Sequence, residues 1–333
     1  MPKSAIQNLF DTIAKLKVLI VGDVMIDAYM WGNVERISPE APVPVVAVTK
    51  REQRLGGAAN VALNVQALGA TPFLCGVTGR DTEAEQFIAI MKGLKLKTDG
   101  IVKLAKRKTT VKTRVIGNKH QLLRVDEESL HEMSDVESKT FAAKIISLIN
   151  KFKIDVVIFE DYDKGALNPY VINNVIKAAN LYGAKTAVDP KRKNFLDYKN
   201  VSLFKPNFGE LKSGLKIDME QIDAENLSLA TREFQKEQNF GMLMVTLSEH
   251  GAFYATTNEA EILPAHIRNI SDVSGAGDTV ISVASCCLAA GISNKRVAAI
   301  ANLSGGLVCE KVGVVPIDKK QLMHEIEKEK ILD

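Results

Sequence analysis

The chain has 333 residues, with 43 Lys and Arg against 40 Asp and Glu, a formal net charge of +3, 46% hydrophobic residues and 25% charged ones. These are ordinary values for a soluble globular protein, and a chain this long buries roughly three-quarters of its unfolded surface, so it needs neither disulfides nor a structural metal. Basic residues are interleaved with acidic ones, which argues against a nucleic-acid footprint, and the longest apolar run, about 280–292, is broken by Ser282 and Ser285 and falls short of a membrane span.

Cys75, Cys286, Cys287 and Cys309 show neither CxxC pairing nor the His spacing of a zinc site, and read as reduced core residues. The N-terminus lacks a basic region followed by an apolar stretch, so a cytoplasmic protein is expected.

In chain order, Ser4 and Gln7 have the capping-box form, and Ile6, Leu9, Phe10 and Ile13 follow at helical spacing. The apolar run 17–21 ends at Gly22-Asp23 and reads as a buried strand that delivers a loop at its carboxyl end. Similar runs recur at 73–75, 155–159, 186–188, 201–204 and 242–246. Helical patterns occupy 58–68, 82–91, 135–149, 169–181, 225–238 and 280–290. This alternation predicts an α/β three-layer sandwich with a mostly parallel central sheet. Segments 43–49, 109–117 and 121–126 break the rhythm. They read as a small separate β-sheet inserted into the main domain, or alternatively as edge strands of the main sheet. There is no internal repeat or long linker.

Open α/β sheets bind ligands beyond the carboxyl ends of their strands. The most informative turn is 271–279, which runs straight into a helical pattern. Gly275 and Gly277 let the backbone approach a ligand, and the amides of Ala276, Gly277 and Asp278 are expected as unpaired donors for an anion. A carboxylate in such a cradle would repel a bound phosphate. It makes sense if Asp278 accepts a proton from an attacking hydroxyl while the amides hold the transferred phosphoryl group. A plain capped helix start would explain Asp278 but not both glycines. GxxxxGK[ST] and GxGxxG are both absent, against a P-loop NTPase and a dinucleotide-binding enzyme.

The run Asp272-Val-Ser-Gly-Ala-Gly-Asp278 resembles the C-terminal signature of the ribokinase-like (PfkB) carbohydrate kinases, and Gly56-Gly57-Ala-Ala-Asn60 resembles their N-terminal one. The resemblance runs from about Val18 to Val315. Segments 37–45, 121–126 and 161–165 are similar to the kinase module of the heptose 7-phosphate kinases of lipopolysaccharide precursor synthesis. The resemblance implies a single ribokinase-like domain over 1–333, a lid from insertions at about 42–50 and 108–126, and no nucleotidyltransferase module.

It also implies site residues. Asp278 matches the catalytic base, and Gly275, Ala276 and Gly277 match the anion hole. Asp27, Gly57 and Asn60 match the sugar side of the cleft, the lesser alternative for Asp27 being a turn cap. Asn207-Phe-Gly-Glu210 resembles the motif that organises Mg²⁺, with Glu210 acting through water and Asn207 beside it. Thr246, Ser248 and Gly251 match the nucleotide-binding stretch, and Asn302 and Gly313 fall around the adenine, where Asn302 could instead serve helix packing. Arg114, Arg124, Lys164 and Lys191 are candidates for the distal phosphate of the substrate, each alternatively a solvated surface charge.

ATP and Mg²⁺ are the implied cofactors, and a homodimer through the lid strands is the implied assembly, with no nucleic-acid or membrane partner. The chain departs from the family pattern at Ser274, where Thr is frequent, and at Val314, where Thr or Ser is usual. The expected reaction is phosphorylation of the anomeric hydroxyl of D-glycero-D-manno-heptose 7-phosphate. The alternatives are another sugar kinase, for fructose, ribose or tagatose 6-phosphate, or a non-catalytic sugar-phosphate sensor.

Overall fold

A computed structural model describes residues 4–219, 221–266 and 268–332. Its first half runs α1 (Ala5–Ile13), β1 (Lys17–Gly22), β2 (Val24–Ile37), β3 (Pro44–Gly57), α2 (Ala58–Leu68), β4 (Thr71–Thr78), α3 (Thr82–Gly93), β5 (Gly100–Lys103), β6 (Thr110–Gly117) and β7 (His120–Glu127). The second half runs α4 (Asp135–Phe152), β8 (Val156–Glu160), α5 (Pro169–Leu181), β9 (Lys185–Asp189), β10 (Leu203–Phe204), α6 (Phe208–Leu215) and α7 (Ala224–Gln238). It closes with β11 (Met242–Thr246), β12 (Ala252–Ala255), β13 (Ala260–Leu263), α8 (Ala276–Ala289), α9 (Asn294–Cys309) and α10 (Lys319–Lys328).

Local chemistry sets most helix starts. The side chains of Ser4, Asp81, Ser134, Asn168, Asn207 and Asp223 each accept a hydrogen bond from the amide three residues on, satisfying a donor that the helix leaves unpaired. The capping box expected at the N-terminus is only half formed, because the Gln7 side chain donates to Asp11 instead of turning back to Ser4.

The main sheet has nine strands in the order β13-β12-β11-β10-β9-β8-β1-β4-β5, and β12 alone runs against the rest. Strand β1 shows how its two faces are covered. Val18 and Ile20 enter a core built with α1, α2, α8, α9 and α10, while Leu19 and Val21 enter a second core built with α4, α5 and α7. Alternate side chains on a strand point to opposite faces, so an unbroken apolar run marks a strand buried on both sides. The expected strand at 201–204 contracts to Leu203–Phe204.

The small sheet is separate, in the order β3-β2-β6-β7. It is larger than expected. Strand β2 was not anticipated, since its sequence shows no alternation, being buried over its first six residues and increasingly exposed over the last eight. Strand β3 continues to Gly57 rather than ending near 50, so the small sheet runs without a break into the glycine-rich turn. All four cysteines are free and buried. Among the described residues, no helix is long and apolar enough to cross a membrane.

Candidate active site

Four neighbouring parallel strands deliver acidic or basic residues to their carboxyl ends. Asp23 follows β1, Glu160 ends β8 with Asp161 after it, Asp189 ends β9 and Lys205 follows β10. The buried carboxylate of Asp23 accepts the amides of Tyr162 (2.9 Å), Lys164 (3.0 Å) and Ala166 (3.0 Å), and so pins the loop after β8. Burial pushes the Asp23 carboxyl up to about 6, aided by the nearby Asp161 charge and opposed by these three amides.

Asp278 stands in the first turn of α8 and is buried. Asn60, from α2, donates to its Oδ2 at 2.7 Å, and the Tyr162 hydroxyl donates to its Oδ1 at 2.8 Å. Burial pushes its carboxyl up from the usual 3.8 to about 6, and the Asp189 charge adds to the rise, while the two hydrogen bonds and the Lys205 charge hold it down. Gly275 caps α8 at φ +79°, where an added Cβ would stand 3.1 Å from the Asn60 amide nitrogen. The cradle has one donor fewer than expected, because the Ala276 amide bonds back to the Val273 carbonyl at 3.3 Å. The amides of Gly277 and Asp278 have no backbone acceptor among the described residues.

Beneath this turn lies a charged cluster. Lys205, 2% exposed, pairs with Asp189 Oδ2 at 2.8 Å, and Lys191 pairs with Glu210 Oε1. Burial, with the Asp189 and Asp278 charges, holds the Glu160 carboxyl well above its ordinary range. Glu160 Oε2 and Asp189 Oδ1 are buried without a hydrogen-bond partner. Asn207 and Glu210 form a reciprocal capping box at the start of α6, with each side chain accepting the other's amide.

On the lid side, Asp27 Oδ1 accepts from the Arg114 guanidinium. The guanidinium groups of Arg54 and Arg114 both lie over the Tyr29 ring, 5.3 and 5.4 Å from its centroid. Gly57 has φ +60°, and a Cβ there would meet the Asp23 carbonyl oxygen at 2.5 Å. Lys164 pairs with Glu128 at 2.7 Å, and Arg124, about half exposed, pairs with Asp126 on its own strand.

The remaining expected residues lie at the end of β11 and just after it, in α9, and in the loop that follows α9. Thr246 bridges to Asn207, and Ser248 and Gly251 shape the short 3-10 turn between β11 and β12, at φ +53° and +92°. The Asn302 side chain donates to the Pro264 carbonyl, and the Gly313 amide donates to Asp272 Oδ2, tying the 312–315 loop to the start of the α8 turn. Val314 packs against the position of a Gly275 Cβ, and its carbonyl accepts from Arg54 of β3.

Sequence reasoning did not single out Asp23, Glu160, Tyr162, Asp189 or Lys205. All but Tyr162 sit directly at carboxyl ends of the strands, so the position rule for open sheets would have found them.

The sequence profile described as pfkB family carbohydrate kinase matches residues 15–320. The chain belongs to this family. It is a sugar kinase with the ribokinase-like fold. It is 40% identical over 315 residues to the bifunctional protein HldE of Pseudomonas putida, and 36% identical over 307 residues to that of Sulfurimonas denitrificans. These matches cover 94% and 92% of the chain but only 64% and 63% of those proteins, so the kinase spans less than two-thirds of the length of these curated relatives.

The fold is that of phosphofructokinase-2 from Escherichia coli in complex with fructose-6-phosphate, with a TM-score of 0.74, 16% identity and coverage of 94% and 99% of the two chains. Arabidopsis thaliana ribokinase complexed with ribose and ATP gives a TM-score of 0.70 at 16% identity, covering 93% and 99%.

Proposed function

We propose that this kinase transfers the γ-phosphoryl group of ATP to the anomeric hydroxyl of D-glycero-D-manno-heptose 7-phosphate. The observation that carries the chemistry is the Asp278 carboxylate, held at both oxygens beside the unpaired amides of the α8 turn. Asp278 takes the proton as the hydroxyl attacks phosphorus in line, and the amides of Gly277 and Asp278 stabilise charge on the transferred group. Gly275 and Ala276 contribute the shape of the turn. Asp27, oriented by Arg114, accepts sugar hydroxyls, and Gly57 and Asn60 complete that wall. Lys164 and Arg124 belong to a lid network with Glu128 and Asp126 that serves the distal phosphate, whereas Lys191, drawn onto Glu210, serves the phosphoryl side.

The residues fit Mg²⁺-ATP. Both Glu210 oxygens have one protein partner each and keep lone pairs for metal-bound water, the outer-sphere role expected for an ion that retains most of its waters. The metal would neutralise charge on the phosphates. Thr246, Ser248, Gly251, Asn302 and Gly313 line the nucleotide end in this reading.

The heptose phosphate rests on the similarity of segments 37–45, 121–126 and 161–165 to heptose 7-phosphate kinases, and on the match to proteins named HldE. The test is a panel of rates with ATP and Mg²⁺. The heptose 7-phosphate is expected to exceed fructose 6-phosphate, tagatose 6-phosphate and ribose by about tenfold or more in kcat/KM. Preference for an unphosphorylated sugar overturns the assignment. We propose further that two copies pair through their lids, a reading supported by Val48, Leu123 and Val125, which are 44%, 57% and 42% exposed on lid strands.

A further inference from the structure

Tyr162 is assigned no role of its own in the reading above, yet its side chain supplies one of the two bonds that hold the group on which that reading depends. It follows β8, and its backbone amide is anchored to Asp23 Oδ2. Its hydroxyl reaches Asp278 Oδ1 at 2.8 Å across 116 residues of sequence. Its ring lies under the Lys191 ammonium, 5.5 Å from the centroid, and that ammonium pairs with Glu210.

An aspartate carboxylate turns about a broad, soft torsion. One donor fixes one oxygen and leaves the plane free to swing. Two donors from different elements, Asn60 on α2 and Tyr162 on the β8 loop, fix both oxygens and therefore the direction of the remaining lone pairs. We propose that Tyr162 is a positioning residue for Asp278, its phenol orienting the carboxylate towards the hydroxyl to be phosphorylated. This rests on the reading of Asp278 as the base.

The phenol is suited to the task. Burial and the carboxylates of Asp278, Glu160 and Asp189 hold its pKa well above the ordinary value, so it remains a donor. The groups around Asp278 are Asn60 from α2, Glu160 from β8, Asp189 from β9, Lys205 after β10 and Tyr162 itself. Of the two neutral donors, Tyr162 can be changed with least disturbance, because Phe keeps the ring and its contact with Lys191.

The test compares three variants with the wild type across pH. Tyr162→Phe is expected to lower kcat about tenfold or more with the KM for ATP within about twofold. The acidic limb of its kcat profile should move up by about one pH unit, because a donor to the charged form is lost. Site-specific 3-fluorotyrosine at 162, a stronger donor, should move the limb down. A merely structural role would not shift the limb in opposite senses.

A Tyr162→Phe profile that overlays the wild type, with kcat within about twofold, overturns the inference. If Tyr162→Phe fails to fold, the fluorotyrosine protein decides alone, and an unmoved limb overturns the proposal. Asp278→Asn separates the two levels. Turnover retained there removes the base and the inference together, whereas turnover lost there beside an unmoved Tyr162→Phe profile rejects only the role of Tyr162.

Discussion

Asp278 works under opposed pressures. Burial favours its neutral form, and the bonds from Asn60 and Tyr162 favour the charged one, leaving its pKa at about 6. The base role proposed for Asp278 requires the deprotonated form, so kcat/KM is expected to be level above about pH 7 and to fall about tenfold per unit well below pH 6. Initial rates across pH measure this directly. Asp278→Asn should lose a factor of about 100 to 10,000 in kcat while binding nucleotide normally.

The same shift has a stability consequence of defined sign. The folded state holds this proton more tightly than the unfolded state, so stability declines as pH rises from about 4 through 6. At this scale the proposed base and its glycines were legible because Asp272 to Asp278 is one contiguous run. The groups that tune the base were not, since Asn60 and Tyr162 lie 218 and 116 residues from Asp278. Asn60 was named only through its own local motif.

Among the elements, the junction of β3 and α2 has little freedom. Strand β3 ends at Gly57, whose backbone occupies a region closed to residues with a side chain, and the next amide, of Ala58, donates to the Asp23 carbonyl. The same turn therefore starts a helix, closes the lid strand and packs on the loop leaving β1. Gly57→Ala is expected to cost about 2 to 3 kcal/mol through backbone strain, plus the clash with the Asp23 carbonyl, read as a lower urea midpoint. Activity should fall too, because Asn60 lies one helical turn away and would be displaced from Asp278.

Most helices were readable from their caps and spacing, and α5 matches its expected span, 169–181. Strand β2 was not. Its first half faces the core and its second half the solvent, so no single period describes it, and its partners β3 and β6 are set by long-range pairing.

Over the whole molecule, the main sheet is covered on both faces while the lid sheet has an exposed outer strand, β7, all of whose residues are exposed. Leu123 and Val125 are two apart on that strand and so share a face. A second copy covering them would remove an apolar edge that a monomer leaves in water. Leu123→Glu is expected to shift the protein from dimer to monomer in sedimentation at micromolar concentration. It should also raise the KM for the sugar more than that for ATP, since the small sheet carries Asp27 and Arg114, on the sugar side proposed above. A wild-type protein that sediments as a monomer at all concentrations removes this reading.

The sequence by itself determined the architecture and singled out the turn 271–279 as the candidate site. Apolar runs bounded by Gly and Asp specify strands with loops at their carboxyl ends, and a glycine-rich turn with one aspartate marks the proposed anion site and base. These are local patterns, written in neighbouring residues. Tertiary structure decided the extent of the lid, the pairing of Arg114 with Asp27 and Lys191 with Glu210, and the two-sided hold on Asp278. Those depend on which strand ends become neighbours in the sheet. The protonation of a buried carboxylate is set by the few groups within hydrogen-bond and Coulomb reach, which the chain gathers only once it has folded.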